Sequence, residues 1–277
     1  MFDNVIIGVD DPEGGRDALA LARQLASPDG DLTLAYVQVV MPRPDEDSGA
    51  ASLAADRRPA LQRLVSLRDT SHLDARVLAI QARSVAAGLH ELASRRDADL
   101  LVIGASRRDP YERMLVRDDT RAVLENPPCP VAVAPLGYAR RASGLDRIGA
   151  GYDGSPESER ALGLARELAR ELGGRVSAFR AVPEPVRVRD AWDPQPEIDE
   201  GVAQARRRLA ELGDLEPYAA SADDAAEALA RYGTSVDLLV VGSHEYRPID
   251  HLLSGSTAQR LADDAPCPLI VLCCAAR

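Results

Sequence analysis

The sequence predicts an α/β protein of two tandem doubly wound domains, each with a five-stranded parallel sheet and helices on both faces. Two observations lead to this prediction. An internal repeat runs through nearly the whole chain of 277 residues. Within each copy, short apolar runs alternate with stretches of helical period, which is typical of a parallel sheet covered on both faces.

The repeat consists of three pairs of segments that recur in the same order. They are ALALARQLA at 18–26 and ALGLARELA at 161–169, DLLVIG at 99–104 and DLLVVG at 237–242, and PCP at 128–130 and 266–268. The first pair is offset by 143 residues and the other two by 138, so the second copy is shorter in its middle. We therefore predict domains at 1–138 and 145–277, joined around the polar stretch Gly137–Gly144 (GYARRASG), whose glycines are typical of a linker.

The elements of the first copy follow from local patterns. Short apolar runs predict its strands, which are VIIGVD (5–10), LTLAYVQVV (32–40), ARVLAI (75–80), DLLVIG (99–104) and PVAVAP (130–135). Helical period predicts its helices, which are 14–26, roughly 50–68, 84–96 and 118–125. The strands of the second copy are GAGYD, VSAFRAV, PYAAS, DLLVVG and PLIVLCC. With right-handed crossovers, such sheets bind ligands beyond the carboxyl ends of their strands, where the strand order reverses.

Charge and composition exclude several functions. The formal net charge of −11 gives the chain no electrostatic footprint for nucleic acid or for an anionic membrane. Every basic side chain is arginine, because the sequence contains no lysine. A P-loop lysine, a Schiff-base lysine and the lysine of a phospho-receiver domain are therefore all excluded.

The cysteines and the chain start predict a reducing, cytoplasmic location and no metal site. The four cysteines form no C-x-x-C pair and have no zinc spacing with histidine; they are Cys129, Cys267, Cys273 and Cys274. Met1–Asn4 shows no signal-peptide pattern, and no apolar run approaches the ~18 residues of a membrane span.

One stretch of the second copy resembles a known family. DLLVVGSHEYRPIDHLLSGST at 237–257 is similar to the universal stress protein loop, whose nucleotide-binding members carry G-x-x-G, nine residues, then G-[ST]. GYDGSPES at 151–158 and APCPLIV at 265–271 also resemble that family, and the resemblance covers both halves. It implies a non-enzymatic stress-response protein that binds ATP or another adenine nucleotide, with Mg²⁺.

The resemblance also implies contacts for that nucleotide. In the family, the acid that matches Asp153, the loop glycine that matches Gly242, and the pair that matches Gly255-Ser256 contact ATP, while adenine lies near the position of Ala181. Independently of the family, Gly255-Ser256-Thr257 opens a helix whose free N–H groups and dipole favour a phosphate. The alternative is that Gly255-Ser256 is only a turn and a helix cap.

The loop departs from the family at its second glycine, which is Glu245 here. A carboxylate beside a triphosphate is repelled by about 1 kcal/mol per close pair in water. Arg247 either neutralises Glu245 or binds phosphate itself, and His244 either contacts the ligand or is an ordinary exposed loop residue.

The first copy differs from the family motif at more positions than the second copy does. Arg107 replaces the second glycine, Arg117-Asp118-Asp119 replaces Gly255-Ser256-Thr257, and Asp10 is followed by Asp11 rather than glycine. Two aspartates suit a helix start but repel a phosphate. We therefore expect the first copy to be a structural partner half without nucleotide.

The apolar last strands, PVAVAP and PLIVLCC, are expected at sheet edges that need covering. In the family such strands pair across a dimer axis, which implies intramolecular pairing of the two domains and leaves a homodimer open. Two alternative functions also stay open. One is an interaction protein with no nucleotide, and the other is a slow ATPase that uses Glu245 or His244 as its base.

Overall fold

The structure is a computed structural model that describes residues 1–10, 12–40, 49–105, 119–184, 195–243 and 257–272. The chain forms two compact units, Met1–Ala142 and a second that begins at Ser143. This division falls inside the stretch that the sequence predicts as a linker. No helix among the described residues is long and apolar enough to cross a membrane.

The first unit contains five strands and the helices that connect them. Its elements are β1 (Phe2–Gly8), α1 (Pro12–Leu25), β2 (Ala26–Val39), α2 (Gly49–Thr70), β3 (Arg76–Ala82), α3 (Val85–Arg95), β4 (Leu100–Gly104), α4 (Asp119–Val123), β5 (Val131–Ala134) and α5 (Tyr138–Arg141). The strand order is β3-β2-β1-β4-β5, and every neighbouring pair is parallel.

The second unit repeats this architecture. Its elements are β6 (Arg147–Gly151), α6 (Pro156–Leu172), β7 (Arg175–Val182), α7 (Gln195–Ala210), β8 (Glu216–Ser221), α8 (Ala225–Gly233), β9 (Leu238–Gly242), α9 (Thr257–Asp264) and β10 (Leu269–Leu272). The order β8-β7-β6-β9-β10 is again parallel throughout. The predicted fold class, two tandem doubly wound domains with five-stranded parallel sheets, is therefore confirmed.

Helices cover both faces of each sheet, and the central strands show why. Ile6 and Ile7 are consecutive in β1, so their side chains point to opposite faces, yet both are fully buried. In the second unit, Leu238, Leu239 and Val240 of β9 are buried in the same way. A strand that is buried on both faces appears in the sequence as a continuous apolar run, and these strands show such a run.

The start of β2 differs from the prediction. The strand begins at Ala26, directly after α1, whereas the apolar run predicts residues 32–40. Ala26 pairs with Phe2, and the register then shifts before Asn4 pairs with Asp31. Residues 27–31 between these pairs are polar and at most partly buried. They therefore lack the apolar residues by which a strand is predicted from sequence.

The predicted linker contains the short helix α5, which is held against α1. Asp17 is buried, and its Oδ2 and Oδ1 accept hydrogen bonds from the backbone N–H groups of Gly137 and Ala139 at 2.7 and 2.8 Å. The Tyr138 hydroxyl donates to Gln24 Oε1 at 3.1 Å. The first half of the linker is thus fixed to the first unit rather than extended.

Candidate functional site

The second unit has a cleft at the point where its strand order reverses. β6 lies between β7 and β9, so the connections that leave β6 and β9 run to opposite sides of the sheet. This divergence opens a crevice beyond the carboxyl ends of the two strands, which is where doubly wound sheets bind ligands. The cleft here has a volume of about 200 Å³.

The cleft has a polar side and an apolar side. The described polar residues that line it are Tyr152, Asp153, Ser155, Ser158, Ser243 and Thr257. The described apolar residues are Phe179, Ala181, Ala225, Leu229, Val241 and Ala258, with Gly151 and Gly242 at the strand ends. A concave site with an apolar slot and a few convergent polar groups is the usual form of a small-molecule site.

Asp153 lies at the tip of β6, in a turn that fixes its carboxylate. Asp153 Oδ1 accepts a hydrogen bond from the backbone N–H of Ser155 at 2.9 Å. Gly154 has a φ of +88°, a left-handed conformation that favours glycine. Arg180 Nη1 donates to the backbone carbonyl of Asp153 at 2.9 Å. The acid is thus held at the cleft by contacts on both its side chain and its backbone.

Two serines shape the turn from Asp153 into α6. Ser155 is the N-cap of α6, and its hydroxyl accepts from the N–H of Ser158 at 3.2 Å. Ser158 Oγ donates to the Ser155 carbonyl at 2.9 Å and accepts from the N–H of Gly154 at 3.1 Å. The hydroxyls therefore build the loop itself. A serine cap followed by proline is the sequence signal for this helix start.

Tyr152 forms one rim of the cleft. Its hydroxyl donates a hydrogen bond to Glu159 Oε1, on the first turns of α6. Burial, together with this hydrogen bond and the negative charge of Glu159, raises the pKa of Tyr152 to about 12. The phenol is therefore neutral at physiological pH and adds no negative charge to the rim.

The apolar slot rests on an aromatic pair. The Phe179 and Tyr232 rings are stacked, with centroids 4.9 Å apart and an angle of 19° between their planes. The Tyr232 hydroxyl shares a buried hydrogen bond with Ser177, and burial raises the pKa of Tyr232. This pair fixes Phe179 in the slot, where a planar base would pack favourably.

Gly242 has a packing role that the sequence does not reveal. A Cβ on this residue would lie 2.6 Å from the backbone carbon and oxygen of Glu157 in α6. Gly104 has the same relation to Gly14 in the first unit, where a Cβ would lie 2.6 Å from its carbonyl oxygen. The strand end needs glycine for helix packing, whether or not a ligand also approaches it.

The structure brings four of the predicted site residues to one cleft. Asp153, Ala181, Gly242 and Thr257 all line it. The other four predicted residues lie outside the described residues, as does Glu245; they are His244, Arg247, Gly255 and Ser256. Their roles stay predictions.

Sequence reasoning did not select several residues that line the cleft. They are Tyr152, Ser155, Ser158, Phe179, Ala225, Leu229, Val241, Ser243 and Ala258. Phe179 had one sequence signal, since the chain contains only two phenylalanines and this one lies in a strand that leads to the switch point. The apolar lining of α8 had none, because alanine and leucine on a helix indicate core equally well.

Among the residues that the structure describes, a small cavity lies beside Asp10 in the first unit, on the face of the sheet that α2 covers. A volume of about 30 Å³ lies among Val9, Asp10, Tyr36 and residues of α2, including Arg63 and Leu67. That is room for little more than a water molecule.

At two positions that line the second cleft, the first unit has larger side chains. The strand registers place Val37 where the second unit has Ala181, since Gly8 pairs with Ala35 as Gly151 pairs with Phe179. Val85 is the first residue of α3, as Ala225 is the first of α8. Val37 packs so tightly that a Cβ on Gly88 would lie 2.7 Å from its Cγ1.

The fold defines a class of protein: a tandem of doubly wound α/β domains, the second of which has a cleft at its topological switch point. Comparison with known proteins identifies the family. The model of the universal stress protein family matches residues 1–135 and 144–272, so the chain belongs to that family.

Relatives and solved structures agree with this assignment. A universal stress protein of Mycobacterium tuberculosis is 25% identical over 205 residues, covering 69% of each chain. One of Thermus aquaticus is 29% identical over 136 residues, covering 44% of this chain and 93% of its own. The crystal structure of a universal stress protein from Archaeoglobus fulgidus has a TM-score of 0.69 at 15% identity, covering 97% of this chain and 95% of its own, and thus shares the fold.

Proposed function

We propose that the second domain binds an adenine nucleotide, ATP with Mg²⁺ in the first instance, in the cleft between β6 and β9. The observation that supports this proposal most directly is the cleft of about 200 Å³ beside Asp153, which combines convergent polar groups with an apolar slot at the point where the strand order reverses.

The two sides of the cleft match the two ends of a nucleotide. Phe179, Ala181 and Leu229 offer an apolar slot for the base. Asp153 offers a carboxylate at the cleft, and an ionised carboxylate is acceptor-only, which suits it to ribose hydroxyls. The phosphates would then extend toward Thr257, where the amino-terminal dipole of α9 favours negative charge.

The chain's charge sets the expected strength of binding. A net charge of −11 and the carboxylate of Glu245 both oppose a polyanion. We therefore expect affinity that is weak but measurable at millimolar nucleotide, with Mg²⁺ held mainly by the phosphates rather than by a protein cage.

We also propose that the domain acts through its ligand-bound state, without catalysis. Asp153 is the only carboxylate among the described residues that line the cleft, and its contacts are those of a positioned acceptor. Phosphate release from ATP that Asp153→Ala and Glu245→Gln both abolish would contradict this and would favour a slow ATPase.

Calorimetric titration of the full chain with Mg²⁺-ATP tests the site. We expect heat of binding in the wild-type protein, its loss in Asp153→Ala, and no change in the matched variant Asp10→Ala of the first copy. No heat at millimolar nucleotide would favour an interaction protein without nucleotide. Equal losses in both variants would remove the assignment to the second copy.

A further inference from the structure

The two helices that wall the cleft are joined by an ion pair. α8 contributes Ala225 and Leu229 to the cleft, and α9 contributes Thr257 and Ala258. Just outside this lining, Arg260 Nη1 of α9 lies 2.5 Å from Asp224 Oδ2. The pair therefore connects the amino-terminal ends of both helices beside the cleft.

Asp224 performs two tasks with its two oxygens. Its Oδ1 caps α8 by accepting from the N–H groups of Ala226 and Glu227 at 2.8 and 3.3 Å. Its Oδ2 faces Arg260. The hydrogen bond from Arg260 is the main cause that lowers the pKa of Asp224, so the carboxylate is ionised at neutral pH. Cap and ion pair thus use separate atoms and can be separated by substitution.

The first copy keeps the cap but not the pair. Ser84 is the N-cap of α3 and accepts from the N–H of Ala87 at 3.1 Å. At the offset of 138 residues, Ala122 of α4 stands where the second copy has Arg260. Serine and alanine cannot form an ion pair. The pair therefore occurs in the copy that carries the cleft, and the matching positions of the first copy cannot form it.

We infer that the Asp224–Arg260 pair is a positioning device, which holds the amino-terminal turn of α9 against α8 so that it meets the phosphates of a bound nucleotide. This inference rests on the proposed function. The pair touches no ligand itself. Its effect should fall on the phosphate end of the cleft and leave the base end, at Phe179 and Ala181, unchanged.

Paired titrations with ATP and with adenosine test the inference. Asp224→Asn keeps the cap, since asparagine is an equally good N-cap, but removes the charge. Arg260→Ala introduces the residue of the first copy. Both side chains are partly exposed, so we expect each variant to weaken ATP binding by about two- to fivefold. Adenosine, which has no phosphates, should bind as it does to the wild-type protein.

The double variant and a charge-preserving variant complete the experiment. Asp224→Asn combined with Arg260→Ala should lose no more ATP affinity than either single change, and Arg260→Lys should restore part of it. Equal weakening of ATP and adenosine would mean a general loss of structure, and tighter ATP binding in Asp224→Asn would mean that free charge matters rather than position. Either result overturns the inference. A wild-type protein that binds neither ATP nor adenosine overturns the proposed function itself. The wild-type titrations therefore separate failure of the proposed function from failure of this inference.

Discussion

At the scale of single residues, the same amino acid serves different ends in the two copies. Asp10 and Asp153 both follow the first strand of their units, but the described cavity beside Asp10 is small and lies against α2, whereas Asp153 lines the cleft between β6 and β9. Gly104 and Gly242, by contrast, are needed in both copies for one reason, the close approach of a helix backbone. A glycine of the family motif can therefore be required for helix packing whether or not its domain binds a ligand.

Replacement of Gly242 by alanine tests this packing role. The added Cβ would meet the backbone of Glu157 at 2.6 Å, and a backbone cannot move aside as a flexible side chain can. We expect the free energy of unfolding to fall by about 1–3 kcal/mol. Gly163 in α6 is the matched control, because nothing lies within 4 Å of its Cβ position; Gly163→Ala should raise stability by about 0.5–1 kcal/mol. Thermal or urea unfolding measures both, and a neutral Gly242→Ala would show that the helix shifts freely.

Replacement of Glu245 by glycine restores the residue of the family motif. If the carboxylate repels the phosphates, its removal should tighten ATP binding by about fivefold, equivalent to about 1 kcal/mol. Glu245→Gln separates charge from backbone freedom and should give most of the gain. Calorimetry with adenosine is the control, since a ligand without phosphates should not respond. Unchanged or weaker ATP binding in Glu245→Gly would contradict the repulsion argument.

At the scale of elements, the sequence was most informative where one physical rule dominated. The central strands β1, β4 and β9 were predicted because a strand buried on both faces is mostly apolar, whereas β6 was predicted from its place in the repeat. The early start of β2 was missed because backbone pairing between Ala26 and Phe2 extends a strand through exposed polar residues. The helix α5 was missed because its partner, Asp17, is 120 residues away from Gly137 in sequence.

The candidate site likewise contains residues that could be predicted from the sequence and residues that could not. Asp153 and Gly242 could be selected because they follow predicted strands that end at one edge of the sheet. The larger side chains of the first copy at two lining positions, Val37 and Val85, could not be recognised from the sequence, because the strand and helix registers that match them to Ala181 and Ala225 appear only in the folded structure.

Exchange of these lining residues tests whether a ligand needs the space beside Ala181 and Ala225. Ala181→Val together with Ala225→Val introduces the valines of the first copy into the walls of the second cleft. We expect the double variant to fold, since the first unit accommodates both valines, but to bind ATP at least about tenfold more weakly through lost space, a difference of about 1.4 kcal/mol. Circular dichroism and calorimetry check the two parts. Wild-type affinity in a folded double variant would show that the base does not enter the slot beside Ala181.

At the scale of the whole molecule, duplication has produced two units with the same fold. Within its own unit, the last strand, β5 or β10, pairs with a single strand, β4 or β9. Val131–Ala134 are fully buried in the chain, and so are Leu269, Ile270 and Val271 of β10. Strands of this composition are prone to self-association when they form the exposed edge of a sheet.

Separation of the two halves therefore has a predictable consequence. We expect a fragment of residues 143–277 to form a homodimer at micromolar concentration, because β10 is the last strand of this unit and an apolar strand at a sheet edge pairs readily with another copy. The fragment 1–142 should associate in the same way through β5. Native mass spectrometry reports stoichiometry and retained ligand together, so the same spectra should show nucleotide on the second fragment and none on the first. Monomeric fragments that unfold with normal cooperativity would show that these edges need no cover. Nucleotide on the first fragment would contradict the assignment of the nucleotide site to the second copy.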